Sequence, residues 1–285
     1  MMGRSHVTHS LATGLAVAPM LGLTTLVSAA PFALMTGGAG SLPDLDHRRS
    51  SASRMFGRFG YHLSGGLRGA SNWIYQRTKG PRDEPQGKHR HLTHTIAFAL
   101  VVGGVIGGLC WICPPLSLGV YAATAMLTAD RLGDRVLIPA GVGLVPHAAL
   151  LYQQPEVVAW QTGLAIALGM VTHDLGDALT HSGAPILAGL WPFAIAGETW
   201  YEVKLLGKFS FRTNGPIEHW LVFPLLLGAT AAAAVPLVPV SDIATHLAVP
   251  TATASLLVGA AATVARLVCL LAKQLKKTPV LAGRG

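Results

Sequence analysis

Gly40-Ser41-Leu42-Pro43-Asp44-Leu45-Asp46-His47 decides how this chain is read, because two carboxylates and a histidine close an apolar run that begins near Ser10. A second cluster, His89-Arg90-His91-Leu92-Thr93-His94, opens another apolar run over 95–129. A helix of about 20 residues crosses the hydrocarbon of a bilayer, and both runs reach that length. Ionisable groups are costly beside hydrocarbon, so a metal or a reaction is the first role to suspect for them.

Working outward, the composition supports a membrane reading. Of 285 residues, 51% are hydrophobic and 12% charged, against roughly a quarter charged in soluble domains. The charge sits in connectors between apolar blocks at 10–41, 95–129, 136–152, 157–175, 218–240 and 250–271. Two blocks are too long for one helix. Pro19 and Pro31 divide the first into a hairpin expected to turn near Thr24 to Ala30, and Cys113-Pro114-Pro115 turns the second. The expected fold class is all-α, a polytopic transmembrane helical bundle of about eight membrane segments with a basic cytoplasmic insert. Its expected organisation is an N-terminal helical hairpin at 1–47 ending in the Pro-Asp-x-Asp-His motif, a basic insert at 48–90, and a transmembrane bundle at 91–285 with a cytoplasmic loop at 176–217.

Topology follows from the basic residues, since short cytoplasmic connections carry the Lys/Arg excess. The stretch Arg48 to Arg90 holds ten Lys/Arg against Asp83 and Glu84 and is placed inside. Counting helices from there puts 152–156 outside, and His173 to Phe211 and the Lys273–Lys277 tail inside. A multi-pass protein with both termini cytoplasmic is expected. His6 and His9 then return to the face that carries Asp44, Asp46 and His47, together with His91, His94, His173, Asp174 and Asp177. His147 and His246 fall on the far side and read as interfacial histidines.

Spacing sharpens the pattern. His91 and His94 are i,i+3 at a helix start, and His173 and Asp177 are i,i+4 near a helix end, so each pair faces one point. Asp44 and Asp46 are expected in an extended turn that aims both carboxylates the same way. Any one of these residues alone reads as a helix cap or an interfacial group. The joint set of His9, Asp44 to His47, His94 and His173/Asp177 points to a divalent metal, zinc first and manganese or iron next, with carboxylates able to bridge two ions.

Other features read as structural. Cys110-Trp111-Ile112-Cys113 lies within an apolar segment and, like Cys269, is helix packing. The Gly and Ala runs suit close helix packing in lipid. Met1 to Ala30 imitates a secretory signal, but the polar His6, Thr8 and His9 before the apolar run favour retention. The 50–86 stretch, with Phe56, Phe59, Tyr61, Trp73 and Tyr75 among its basic residues, is expected to lie on anionic membrane lipid rather than on nucleic acid. No glycine-rich phosphate loop, nucleophile elbow or nucleic-acid module is present in the sequence.

Taken in order, Thr8-His9, Leu42-Pro43-Asp44-Leu45-Asp46-His47, His89-Arg90-His91-Leu92-Thr93-His94, His173-Asp174-Leu175-Gly176-Asp177-Ala178-Leu179-Thr180-His181-Ser182-Gly183 and Trp191-Pro192-Phe193 resemble the YdjM-like family of bacterial inner-membrane metal-dependent hydrolases, one member of which is under LexA control. The resemblance covers His9 to about Glu218, and Arg212-Thr213-Asn214-Gly215-Pro216-Ile217-Glu218 resembles the family's later polar motif. It implies His9, Asp44, Asp46, His47, His94, His173 and Asp177 as the metal site, with His89-Arg90 beside them. The chain departs from the family at His91, where glycine is usual, at Thr95, where serine is usual, and in the length of its basic insert.

Hydrolysis at such a site needs a metal to acidify water and polarise a phosphoryl or acyl oxygen, and a carboxylate, Asp46 or Asp177, to take the proton. Arg90, with Arg48 and Arg49, would hold an anionic group, so the expected substrate is an anionic lipid or a lipid phosphate. Two other readings stand beside it. One is a non-catalytic membrane scaffold or regulator that uses the basic insert as its contact surface. The other, a metal transporter, is disfavoured because 97–129 and 221–240 carry almost no polar residue.

Overall fold

The computed structural model describes residues 1–47, 50–84, 90–189 and 198–238. Arg48, Arg49, His89, Trp191 to Phe193, His246, Cys269, the 250–271 block and the Lys273–Lys277 tail lie outside the described residues.

The described chain is helical, with two isolated β-bridges, Thr180 to Phe211 and Ala184 to Val203. Helix α1 spans Gly3–Val17 and α2 spans Leu26–Ala39. The connection between them lies earlier than expected. Pro19 starts a 3-10 turn over Ala18–Leu21, Gly22 ends it at φ 79°, and the Thr25/Ser28 capping box starts α2, leaving Pro31 inside that helix. The basic insert forms a short α3, Ser51–Met55, and a long α4, Gly57–Thr78. Thr95 caps α5 (Ile96–Ile112) by accepting from the Phe98 amide, and the Cys113 to Pro115 turn leads into α6 (Leu116–Leu132). Then come α7 (Leu137–Gln153), α8 (Pro155–Ala178), an irregular stretch, and a π-helical turn (Glu218–Val222) that runs into α9 (Phe223–Ala234).

Helix α8 is the axis of the packing. Its Gly163 lies against Gly103 and Gly107 of α5, where any Cβ would meet backbone, and Gly169 lies equally close to Thr36 and Ala39 of α2. Small residues at these crossings let backbones approach, which is how helices associate in lipid. Hydroxyls inside the bundle bond back to their own helices, as Thr36 does to the Phe32 carbonyl and Thr162 to the Val158 carbonyl.

Polarity runs inside-out relative to a water-soluble domain. His6, His94, His173, Asp174 and Asp177 are buried, whereas Val101 and Ile112 of α5, Ile138 and Val145 of α7, and Trp220 and Leu225 around α9 are exposed. Among the described residues, two helical segments are both long and apolar enough to cross a membrane, Asp134–Gln153 and Glu218–Leu237, each of 20 residues, and α5 is apolar but shorter. The about eight segments read from the apolar blocks are therefore not confirmed, and the 250–271 block lies outside the described residues. The physical reason is length and content: α1 and α2 have 15 and 14 residues, short of the ~20 that hydrocarbon requires, and the 24-residue α8 carries His173, Asp174 and Asp177.

Candidate metal centre

Four chain segments meet at one end of α8: the start of α1, the turn after α2, the turn before α5, and the last turns of α8 itself. His173 and Asp177 stand one turn apart on α8, with His173 Nε2 3.6 Å from Asp177 Oδ2. His94 brings its Nε2 to 3.6 Å from the same oxygen. Asp44 Oδ1 lies 3.9 Å from both imidazole nitrogens. Ligands about 2.0–2.1 Å from a tetrahedral zinc are separated by about 3.4 Å, so these four separations are slightly longer than those between the ligands of a bound ion.

The imidazoles are held in the tautomer a cation needs. His173 donates from Nδ1 to the Gly40 carbonyl at 2.7 Å, which leaves the Nε2 lone pair facing Asp44 and Asp177. Thr93 gives its hydroxyl proton to Asp46 Oδ2 at 3.0 Å, so its oxygen can accept from His94 Nδ1, also 3.0 Å away. His94 Nε2 is thereby left as an acceptor. His173 Nε2 and Asp177 Oδ2 are buried and make no hydrogen bond. Buried acceptors of this kind are rare in native proteins, and a bound cation satisfies both, so the donor set fits a divalent ion. Asp44, His94 and His173 form one group able to hold an ion, and His6, His173 and Asp177 form a second.

His6 is the residue that sequence reasoning left out of the ligand set. Its Nε2 lies 3.2 Å from Asp177 Oδ1, and its ring stacks on His173 at 3.6 Å between centroids. The Met1 nitrogen reaches the same Asp177 oxygen at 2.5 Å. No local signal in the sequence marks it: its face of α1 is the one packed on α8, where Ser10 donates to the Gly169 carbonyl, and its partner Asp177 comes from α8.

The remaining candidates are placed as follows. His9, three residues past His6 on α1, joins neither group and has its Nδ1 buried without a hydrogen bond. Pro43–Asp46 forms a 3-10 turn rather than an extended one. Residues two apart in such a turn point in different directions, so Asp44 faces the imidazoles with its side chain 27% exposed while Asp46 is buried behind Thr93. Burial, only partly offset by the Thr93 hydrogen bond, pushes the Asp46 carboxyl up to about 7. His47 is exposed and outside both groups. His91 precedes the Leu92–His94 turn instead of sharing a helical face with His94, and its ring packs on Tyr75 at 4.2 Å and on Trp200 at 5.7 Å.

Arg90 stands at the mouth. Its Nε is 3.1 Å from Asp177 Oδ2, with the side chain 19% exposed, and Nη1 reaches the Gly183 carbonyl at 3.5 Å. Glu218 braces the same region from the other side. Its buried carboxylate accepts from the Met2 amide at 2.5 Å and from the Asn214 amide at 2.8 Å, which fixes the entry into α1. Asn214 takes the left-handed φ of 60° that asparagine tolerates.

No curated protein and no solved structure matches this chain. A family model described as the YdjM inner membrane protein matches residues 1–268, nearly the whole length. With its inside-out polarity and the ordered histidine and aspartate motifs, the chain belongs to the YdjM family of inner membrane proteins.

Proposed function

We propose that the protein is a membrane-embedded, metal-dependent hydrolase whose single cation is held by Asp44, His94, His173 and Asp177 at the cytoplasmic face of a multi-pass bundle. The observation that carries this reading is the convergence of those four donor atoms beside Arg90. One ion is assigned because both ligand groups draw on the same His173 nitrogen, which has one lone pair to give. A donor set of two histidines and two carboxylates favours zinc over manganese or iron.

A divalent cation bound there supplies Lewis acidity toward water and toward a phosphoryl or acyl oxygen. The chain's own residues do the rest. Gly40 and Thr93 fix the two imidazoles, and Asp46, joined to His94 through Thr93, is the carboxylate assigned to receive the proton. Arg90 holds the anionic group of the substrate, and its partial exposure beside Asp44 marks the side of entry. A guanidinium at that mouth, in a protein of the inner membrane, favours an anionic lipid or a lipid phosphate ester as substrate. The exposed Phe59, Tyr61 and Trp73 of the basic α4 support a surface that lies on lipid headgroups.

The test is turnover by the zinc-loaded protein reconstituted in vesicles containing phospholipid or phosphatidic acid, read as released phosphate or fatty acid. The wild type should turn over. Asp177→Asn should lose both metal and turnover, and Arg90→Ala should keep the metal while KM rises. A metal-loaded wild type inert on every such lipid contradicts the hydrolase reading.

A further inference from the structure

At the opposite end of α8 a second cavity opens. Gln161 precedes His173 by more than three helical turns, about 18 Å along the axis. Here the turn after α1, the start of α2, the end of α7 and the first half of α8 enclose about 350 Å³, lined by Leu23, Phe32, Met35, Leu150, His147 and Gln161 among others. That volume lies in the range of small-molecule sites, roughly 300–1,000 Å³.

His147 is not at an interface as its sequence position suggests. It is only 4% exposed, and its Nε2 makes no hydrogen bond. Tyr121 cannot serve it: the two rings stack at 5.2 Å, and the tyrosine hydroxyl is given to the Ala140 carbonyl at 2.5 Å. Gln161, 6% exposed, lines the same cavity from α8. The unpartnered His147 nitrogen and the Gln161 amide thus share a cavity with Ser28, Gln153 and the apolar Leu23, Phe32, Met35 and Leu150. Among the described residues its lining contains no Asp, Glu, Lys or Arg, so none of them neutralises a charged guest. Beside it, the exposed Val142 and Val145 of α7 make the approach apolar.

We propose that this cavity binds a neutral acylglycerol, its chain against Leu23, Phe32 and Leu150 and its hydroxyl-bearing head hydrogen-bonded to His147 and Gln161. A hydroxyl both donates and accepts, so it satisfies an imidazole nitrogen in either tautomer and a primary amide. The site is independent of the metal centre and of the reaction proposed there.

The experiment uses the full chain in lipid nanodiscs with a photoactivatable monoacylglycerol. Cross-linking should map to α2 and α7 around Phe32 and Leu150 and be displaced by unlabelled monoacylglycerol. His147→Leu and Gln161→Leu should each lower it at least about fivefold, and Asp177→Asn should leave it unchanged. Ala149→Trp, which fills the cavity from its exposed wall without removing a polar group, should lower it as well. Should His147→Leu fail to fold, Gln161→Leu and Ala149→Trp carry the test. Equal labelling in the wild type and these variants, labelling confined to other helices, or equal displacement by phosphatidic acid or by detergent alone would overturn the proposal.

Discussion

Helices α8 and α9 come from apolar blocks of similar appearance, yet they hold opposite positions. Helix α8 is buried along most of its length and delivers His173 and Asp177 to the site. In α9 the outer face carries exposed Leu225 and Leu227, and Ala233 is its one fully buried residue. Hydropathy therefore identifies the lipid-facing helix more readily than the central one. The segment around α9 passes as a membrane span on length and apolarity, and α8, which carries two of the candidate ligands, does not. In lipid the costly groups are kept inside and the apolar ones outside, so the polar interruptions of an apolar block mark the functional helix.

This contrast can be broken by substitution, most severely at the site. Asp177→Asn removes the one carboxylate that both imidazoles and Arg90 face. It should weaken metal binding by more than the roughly 100-fold upper range for losing an outer partner, checked by zinc titration of the chelator-treated protein. Thr93→Val leaves every proposed ligand in place but frees His94 and Asp46 from each other. A roughly 10–100-fold loss of affinity is expected, with recovery in Thr93→Ser. Equal affinity in the wild type and Thr93→Val would show that the Asp46–Thr93–His94 chain does not orient the ligand.

Effects should shrink with distance from the site but stay on α8 before reaching α9. Gly163→Val inserts side-chain atoms against the backbone of Gly103 and Gly107. It should cost about 1–3 kcal/mol, the usual penalty of overpacking, read as a lower Tm with metal content per folded protein unchanged. Leu225→Ala, on the exposed face of α9, should fall within about 0.5 kcal/mol of the wild type. A larger loss there would mean that this face is covered by protein rather than by lipid.

The reading from sequence succeeded where local chemistry decides. Cys113-Pro114-Pro115 does separate two helices, and the 152–156 connection is the break at Gln154-Pro155. It misplaced the first hairpin turn because Pro19 and Pro31 look alike in sequence. Pro31 is held inside α2, and the true break is marked by Gly22 in its left-handed conformation. At the site, the i,i+4 pair His173/Asp177 was legible because a continuous helix fixes it. The expected pairing of Asp44 with Asp46 assumed an extended turn, whereas a 3-10 turn sends residues two apart in different directions, and the pairing of His91 with His94 assumed one helix, whereas His91 lies before the Leu92–His94 turn with non-helical backbone. His6 was beyond local reasoning, since its partner Asp177 is contributed by α8 from the far side of the sequence.

The most direct test of the central claim is elemental analysis of the full chain, purified without chelators and with zinc added back, beside His94→Ala and His173→Ala variants that still insert and fold. The account predicts close to one equivalent of metal in the wild type and its loss in both variants. No metal in the wild type, or metal retained in the variants, would contradict it and leave these side chains as buried polar groups of a scaffold protein.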